Sequence, residues 1–356
     1  MKRRRLIAAG SLAAILSAAV TFLYTPRQAF SGEVFVTLEH GAGTRAMARA
    51  LADARVIQWP WEFVLMRALH PSATLQAGEY RFEGPASVRA VFARIARGDV
   101  YFFEFTVPEG SNMFDIAALL DASGLDASGV LSGQEFLRAA SDPAPIRDLA
   151  PGAPSQEGYL FPATYHLSHS TTAKALCRMM TSQFRKEWKK LASESGTSDP
   201  PGAVSRTAAA DAHTVVTLAS LVEKETGLPA ERPLIAGVFA NRIEKMMRLD
   251  CDPTTIYAAL LDHRYTGAIH RSDLDSKNPY NTYQNDGLPP GPIANPGRAA
   301  LEATLHPAQT NYLYFVAKPA GGGHQFSSTL AAHEKAVREY RNANSTKAPK
   351  AAGKAG

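Results

Sequence analysis

The feature that most constrains this chain is an uncharged apolar run near its start. Residues 6–24, LIAAGSLAAILSAAVTFLY, contain no charged side chain, and nineteen such residues are about enough to span a lipid bilayer. Lys2 and Arg3–Arg5 precede the run, so the positive-inside rule predicts a cytoplasmic basic end at residues 1–5 and a chain that continues outside. A cleaved signal peptide is the alternative, but the length of the run and its Phe-Leu-Tyr end favour a retained transmembrane helix.

The distribution of charge argues against nucleic-acid binding, and the low cysteine content argues against a metal site. The chain has 356 residues, enough for two or three domains, and a net charge of +5. Eight basic residues lie at the two ends: Lys2, Arg3, Arg4, Arg5, Arg341, Lys347, Lys350 and Lys354. The body is left with 30 basic and 33 acidic residues, so no nucleic-acid surface is predicted. Two cysteines, Cys177 and Cys251, imply neither a metal site nor a cofactor, and whether they pair is open.

Hydrophobic periodicity predicts an α+β fold in two parts. Residues 33–107 begin as strand, helix, helix, strand, and a further helix and strand follow. Residues 108–341 alternate predicted helices with a few strands, interrupted by a polar loop over 193–212 and an irregular, proline-rich segment over 276–297. Residues 342–356 are predicted to be a disordered basic tail.

The stretch LASLVEKETG, residues 218–227, attaches two acids to the end of an apolar helix. On a wheel of about 100° per residue started at Val215, the apolar residues cover one arc and Lys224 lies opposite it. Glu223 and Glu225 fall on the two flanks of that arc, at roughly 80° and 280°. Burial and the negative end of a helix both raise the pKa of a carboxyl, as a proton donor in glycoside cleavage requires. Pairing of one or both acids with Arg232 or Arg242 is the alternative, and the wheel does not choose between the two acids.

Other ionisable residues give weaker signals. A second carboxylate could come from Asp252, Asp273, Asp275 or Asp286. The histidines at 263, 270, 306, 324 and 333 lack the spacing of a metal site. Residues 278–297 combine two tyrosines, five amides and a Pro-Pro-Gly bend, which suit either a sugar-binding cleft or a long structural loop.

Seven motifs in order resemble the YceG-like family of endolytic peptidoglycan lytic transglycosylases. They are EGYLFPATY (157–165), ASLVEKET (219–226), VFANRI (238–243), RLDCDPTTIYA (248–258), NPYNTYQNDGLPPGPIANPG (278–297), HPAQTNYLYFV (306–316) and GGGHQFSSTLAAHEKAV (321–337). The family's members carry a LysM-like subdomain after an N-terminal anchor, which residues 33–107 resemble. The two departures are Ala163, where the family usually has Asp, and Cys251, where a small hydroxyl residue is usual.

The resemblance implies an enzyme of the cytoplasmic (inner) membrane with its catalytic domain on the periplasmic, cell-wall side. Such enzymes cut nascent glycan strands between N-acetylmuramic acid and N-acetylglucosamine, leave a 1,6-anhydromuramic end, and would terminate strand elongation. The first Glu of V-E-K-E-T, here Glu223, is implied as the general acid and then base, with no cofactor or metal. Peptidoglycan and the membrane are the implied partners, together with cell-wall synthases.

The same resemblance implies further site residues. Glu225 and Glu157 are expected to be supporting or structural acids. Substrate-binding residues are expected at Asn241, Arg242, Asp252, Thr254, Tyr257, Tyr280, Asn281, Thr282, Tyr283, Gly287, Leu288, Pro289 and Pro290. Two rival interpretations are a lysozyme-type hydrolase with Asp252 or Asp286 as second carboxylate, and a non-catalytic peptidoglycan-binding scaffold.

Overall fold

The structure is a computed structural model that describes residues 25–26, 32–125, 131–194, 202–205, 208–319 and 321–347. The predicted basic end and transmembrane run, 1–5 and 6–24, lie outside these residues. Among the residues described, no helix combines the length and apolarity that crossing a membrane demands. The chain forms two compact units, one up to Glu104 together with His166–Ser170, the other of Phe105–Tyr165 and the residues from Thr171 on.

The first unit begins with the predicted strand, helix, helix, strand. These elements are β1 (Val34–Leu38), α1 (Thr44–Asp53), α2 (Pro60–Leu69) and β2 (Gly78–Phe82), followed by α3 (Val88–Arg97). β1 and β2 are antiparallel and pair Val34 with Phe82 and Leu38 with Gly78. Their inward side chains, such as Leu38 and Tyr80, share a buried core with apolar residues of α1, α2 and α3. The order predicted from periodicity is therefore confirmed.

Helices dominate the second unit. In chain order they are α4 (Met113–Ala122), α5 (Gly133–Ala140), α6 (Ala173–Glu194), α7 (Ala212–Glu225), α8 (Arg232–Glu244), α9 (Asp252–Leu261), α10 (Arg271–Leu274), α11 (Arg298–Leu305) and α12 (Leu330–Lys347), with 3₁₀ turns at Ala144–Ile146 and Pro229–Glu231. The remaining strands are β3 (Phe103–Thr106), β4 (Thr164–Leu167), β5 (Gly202–Ser205), β6 (Ala208–Ala210), β7 (Tyr314–Ala317) and β8 (His324–Ser327). Consecutive strands β3–β4, β5–β6 and β7–β8 pair, like β1–β2, so the fold is mixed helix and sheet, α+β.

Three local predictions were wrong. The polar loop predicted over 193–212 contains β5 and β6, because backbone pairing of Gly202 with Ala210 and of Ser205 with Ala208 does not depend on apolar side chains. Strand β8 was not predicted, although the glycines before it allow the hairpin to β7. α12 runs to Lys347, six residues into the predicted tail.

Helix α7 forms the centre of the second core and carries the two acids at its end. Asp211 caps it by accepting a hydrogen bond from Thr214 N at 2.7 Å. The predicted apolar arc, Val215, Val216, Leu218, Ala219, Leu221 and Val222, is at most 1% exposed. Lys224 is exposed, also as predicted. Because the arc fixes the rotation of the helix, it also fixes the two directions in which Glu223 and Glu225 leave it.

Candidate active site

Glu223 is held in a buried ion pair. Its side chain is 5% exposed, and Oε1 accepts a hydrogen bond from Arg232 Nη2 at 3.0 Å. Oε2 accepts from Gly297 N, also at 3.0 Å. The alternative raised by the sequence, that an arginine of the next helix neutralises one of the acids, therefore holds for Glu223.

A second acid lies beside this pair. Glu109 Oε2 is 4.0 Å from Arg232 Nη2, and the Glu109 side chain is 52% exposed. Its carboxylate occupies space that a Cβ on Gly297 would need, so a glycine at 297 permits the approach. Burial and the charge of Glu223 raise the pKa of Glu109, and Arg232 opposes them. One guanidinium thus serves two carboxylates.

Two loops carry the groups around Glu223. Gly110 N donates to Asn295 O at 3.0 Å, and Asn295 N donates to Ser111 O at 2.9 Å. Lys224 Nζ reaches the same loop and donates to Gly110 O at 3.1 Å. These bonds fasten the loop that bears Glu109 to the loop that bears Gly297, next to the end of α7.

Glu225 points to a different environment, an open cavity of about 590 Å³. Its Oε1 accepts a hydrogen bond from Cys251 Sγ at 3.0 Å. Burial raises the pKa of the Glu225 carboxyl; the Cys251 thiol opposes this, and nearby Asp252 reinforces it. A carboxyl with a raised pKa at a cavity is the arrangement expected of a proton donor.

The cavity walls combine charged, aromatic and apolar side chains. Its other lining residues are Arg242, Leu249, Asp250, Asp252, Tyr283, Tyr314, Phe315, Val316, Leu330, His333, Val337 and Arg341. Tyr283 donates a 2.6 Å hydrogen bond to Asp252 Oδ1. Arg242 is fixed by the carbonyls of Leu313 and Leu249, at 2.6 and 2.9 Å. The wall groups are therefore held in place before any ligand arrives.

The predicted binding residues separate into three groups. Arg242, Asp252 and Tyr283 line the cavity with Glu225. Six others are buried and bond within the protein: Asn241, Thr254, Tyr257, Tyr280, Asn281 and Thr282. Asn281 Nδ2, for example, donates to the carbonyls of Asp273, Leu274 and Ser276. These buried residues support the cavity walls from the protein interior. The cavity lining does not include Gly287, Leu288, Pro289 and Pro290.

Several lining residues were not among the predicted site residues. Asp250 and Leu249 lie in the same RLDCDPT motif as Asp252, so the motif itself was an available signal. Tyr314 lies on β7 and His333 on α12, more than sixty residues further along the chain. No spacing rule links such distant positions, and only the fold brings them to one cavity.

The cysteines are both buried and free, so they do not pair. Cys177 lies on α6, whereas Cys251 precedes α9 and contacts Glu225. Ala163, the other departure from the family pattern, packs against the second core, and its carbonyl accepts a bond from Val107 N at 3.0 Å.

Glu157 is a buried carboxylate behind the site. It is 1% exposed and accepts hydrogen bonds from Met113 N, Tyr257 Oη and Asn295 Nδ2, at 2.8 to 3.0 Å. Burial raises its pKa to about 7, against the opposing effect of the Met113 and Tyr257 bonds. Since Asn295 also binds the loop of Ser111, Glu157 supports the loops around Glu223.

The raised pKa of Glu157 predicts a stability that falls with rising pH. The folded chain holds this proton more tightly than the unfolded chain, so stability is complete below pH 4.5 and is lost up to about pH 7. The shift corresponds to about 3 kcal/mol. Urea unfolding of wild type and Glu157→Gln across that range should show wild type losing this amount of stability relative to the variant as pH rises. Parallel curves would contradict the shift.

Comparison with known proteins agrees with these motifs. The model of the YceG-like family matches residues 36–339. A Bacillus subtilis (strain 168) protein named endolytic murein transglycosylase is 32% identical over 88% of this chain and 86% of its own length. A Streptococcus pneumoniae (strain D39) protein of the same name is 27% identical over 87% of this chain and 58% of its own length. The crystal structure of a yceG-like protein from Listeria monocytogenes, 28% identical, covers 86% of this chain and 99% of that one with a TM-score of 0.54. The chain therefore belongs to the YceG-like family.

Proposed function

We propose that this chain is a peptidoglycan lytic transglycosylase that cuts glycan strands internally, between N-acetylmuramic acid and N-acetylglucosamine. The enzyme class is supported by the relatives named endolytic murein transglycosylase. The observation that carries the proposal is an acid with a raised pKa, Glu225, on a cavity of about 590 Å³ lined by aromatic and charged groups. Clefts of this size are typical of ligand sites.

One carboxyl group is sufficient for the reaction. In its protonated form it donates to the glycosidic oxygen as the bond from the muramic C1 breaks. The resulting carboxylate takes the proton of the muramic C6 hydroxyl, whose oxygen attacks C1 and closes the 1,6-anhydro ring. The proton count balances and no water is consumed, so no nucleophilic second carboxylate is needed, unlike in an ordinary retaining glycosidase.

The geometry supports Glu225 as this carboxyl group better than Glu223. Glu225 lines the cavity, and its hydrogen-bond donor is the Cys251 thiol rather than a guanidinium. Both oxygens of Glu223 already accept hydrogen bonds, one of them from a buried guanidinium. Substrate would also have to reach a carboxylate whose side chain is 5% exposed.

The family resemblance instead implies Glu223, and that assignment stays a prediction. For it to hold, Arg232 would have to leave Glu223 before protonation, with Glu109 as its next partner at 4.0 Å. Glutamine variants of the two acids separate the assignments, because each assignment predicts that a different variant loses cleavage.

The reaction product tests the chemistry itself. Digestion of purified glycan strands should yield 1,6-anhydromuramic ends by mass spectrometry. A hydrolase would give reducing ends heavier by one water, and Asp252 favours this second candidate because it lines the same cavity as Glu225. Asp286 is a weaker second acid, since its exposed carboxylate pairs with Arg248 at 3.1 Å. A non-catalytic scaffold would release no product.

The cavity residues are proposed to bind the glycan. Arg242 presents its guanidinium to the cavity and Tyr283 its ring. Asp252 accepts a hydrogen bond from the Tyr283 hydroxyl. The buried set behind them, including Asn281 and Thr282, would orient these groups without touching sugar. Gly287–Pro290 stays a predicted contact of a longer strand.

The chain's organisation completes the proposal. Residues 6–24 would span the inner membrane with 1–5 in the cytoplasm, 33–107 would form a LysM-like subdomain that positions glycan, and 108–341 would form the catalytic domain on the wall side. The residues after α12, from 348 to 356, would remain a basic tail. An enzyme held there would act on nascent strands beside cell-wall synthases and end their elongation.

A membrane-proximal role predicts that the anchor is needed in cells. A secreted form lacking residues 1–30 should cut purified strands like the full chain, because the cavity lies in the second unit. The same form should fail to shorten nascent strands in a strain that lacks the full chain, since it is no longer held near their origin. Glycan chain lengths measured in that strain test this, and full restoration by the secreted form would contradict it.

A further inference from the structure

Helix α2, in the first unit, is apolar on two opposite faces. Phe63 and Met66 are buried in the core. On the other side Trp61, Leu65 and Leu69 are 51%, 39% and 56% exposed, at a spacing of four residues that aligns them along one face. Trp59, immediately before the helix, is 40% exposed, and its ring stacks on that of Trp61 at 6.2 Å between centroids. We call Trp59, Trp61, Leu65 and Leu69 the α2 face.

The charges of the helix do not reach this face. Glu62 is 1% exposed and accepts a hydrogen bond from Trp59 N at 3.1 Å. Arg67 is partly buried and donates to His70 O at 2.8 Å. A contiguous exposed apolar patch marks an interaction surface.

We propose that the α2 face lies in the interfacial layer of the membrane to which the chain is anchored. Indole rings are enriched at the headgroup level because one edge is apolar and the N–H is polar. Leucines beside them insert into the boundary of the acyl chains, as in helices that lie on a bilayer surface. This inference rests on the proposed function, because it needs residues 6–24 as a membrane anchor.

The length of the connecting chain supports a lipid surface as the partner. Nine residues separate Tyr24, the end of the apolar run, from Val34 at the start of β1. Fully extended, they reach about 30 Å, so the first unit cannot move far from the bilayer. Tethering over such a distance gives a high effective concentration, and a small apolar face then suffices for contact.

Two other occupants fit less well. A glycan would stack on the two tryptophans, but Leu65 and Leu69 offer its hydroxyl groups no hydrogen-bonding partner. A second copy of the chain would need a larger surface, since stable interfaces bury about 800 Å² per partner and this face has four side chains.

Tryptophan fluorescence in labelled vesicles tests the contact. The full chain, residues 1–356, is reconstituted in vesicles whose lipids carry bromine near the headgroup or carry none. Trp59 and Trp61 should be quenched by the brominated lipid, whereas Trp188, 7% exposed in the second core, should not. The variant with both Trp59→Ala and Trp61→Ala should then lose the quenching.

Charge substitutions provide the matched comparison. Leu65→Glu with Leu69→Glu should abolish the quenching of both tryptophans, whereas Ala90→Glu, which adds a charge at an exposed position of α3, should leave it unchanged. Flotation of every variant with the vesicles tests the anchor separately. Flotation of the wild type without quenching overturns this inference alone. Quenching of Trp59 and Trp61 by soluble glycan would also overturn it, and so would concentration-dependent cross-linking of two chains through the α2 face. Loss of flotation overturns the anchor and this inference together.

Discussion

Replacing Glu225 by glutamine is expected to slow glycan cleavage by about 10²- to 10⁴-fold, the usual contribution of a general acid and base. The amide keeps the size of the side chain and can still accept the Cys251 thiol bond, which is 3.0 Å long in the wild type. It cannot give a proton to the glycosidic oxygen or take one from the C6 hydroxyl. The rate at which 1,6-anhydromuramic ends form from purified strands measures the effect directly.

Glu223→Gln is the matched control for this variant. It changes an acid two residues away on the same helix, and its amide oxygen can still accept from Gly297 N. We expect cleavage to continue, with lower stability because Arg232 loses its charged partner. Loss of cleavage in Glu223→Gln, with cleavage retained in Glu225→Gln, would contradict our assignment and support the one implied by the family resemblance.

Cys251 supplies an independent check through pH. Its thiol bond favours the ionised form of Glu225 and so lowers the pKa of that carboxyl. Cys251→Ala should therefore raise the pKa and move the alkaline limb of the rate profile to higher pH, while Cys251→Ser, which keeps a donor, should not move it upward. An unchanged profile in Cys251→Ala would mean that the pKa of Glu225 does not control the rate. It would therefore argue against Glu225 as the proton donor.

Much of the fold could be predicted because burial follows periodicity. The apolar arc of α7 and the strand, helix, helix, strand order of the first unit both depend on local spacing alone. The hairpin of β5 and β6 could not, because its pairing joins Gly and Ala backbones that carry no amphipathic signal.

The different surroundings of the two acids could not be predicted from the sequence pattern. The wheel placed Glu223 and Glu225 symmetrically on the flanks of one arc, and nothing in the spacing distinguishes the flanks. Tertiary packing distinguishes the two flanks, because α8 brings Arg232 to the Glu223 flank and the chain before α9 brings Cys251 to the Glu225 flank. The cavity described above opens on the second side, beside Glu225.

The segment 278–297 illustrates a further limit. Its tyrosines and amides suited both a sugar cleft and a structural loop. The structural interpretation is confirmed for part of the segment, and the sugar cleft stays a prediction. Asn281 and Thr282 are buried and satisfy backbone and hydroxyl groups that no regular structure pairs, whereas Tyr283 reaches the cavity. Composition cannot separate the two uses, since buried loops need the same polar groups that bind sugars.

Arg232→Met is expected to lower the free energy of unfolding by about 3–5 kcal/mol, the cost of leaving a buried charge without its partner. Arg232 is 7% exposed and its guanidinium binds Glu223 at 3.0 Å. Methionine fills much of the same volume. The loss of stability therefore measures the cost of leaving the Glu223 carboxylate unpaired, and not the cost of a cavity. Urea unfolding followed by tryptophan fluorescence measures the change.

Two comparisons make this result specific. Arg248→Met removes an exposed arginine that pairs with Asp286 at 3.1 Å, and surface pairs of this kind contribute only about 0–1 kcal/mol. Adding Glu223→Gln to Arg232→Met removes the stranded charge and should restore part of the stability, because the amide oxygen still serves Gly297 N. Equal losses in Arg232→Met and Arg248→Met would mean that Glu223 is solvated in solution. The main argument against Glu223 as the proton donor, its buried ion pair with Arg232, would then be lost.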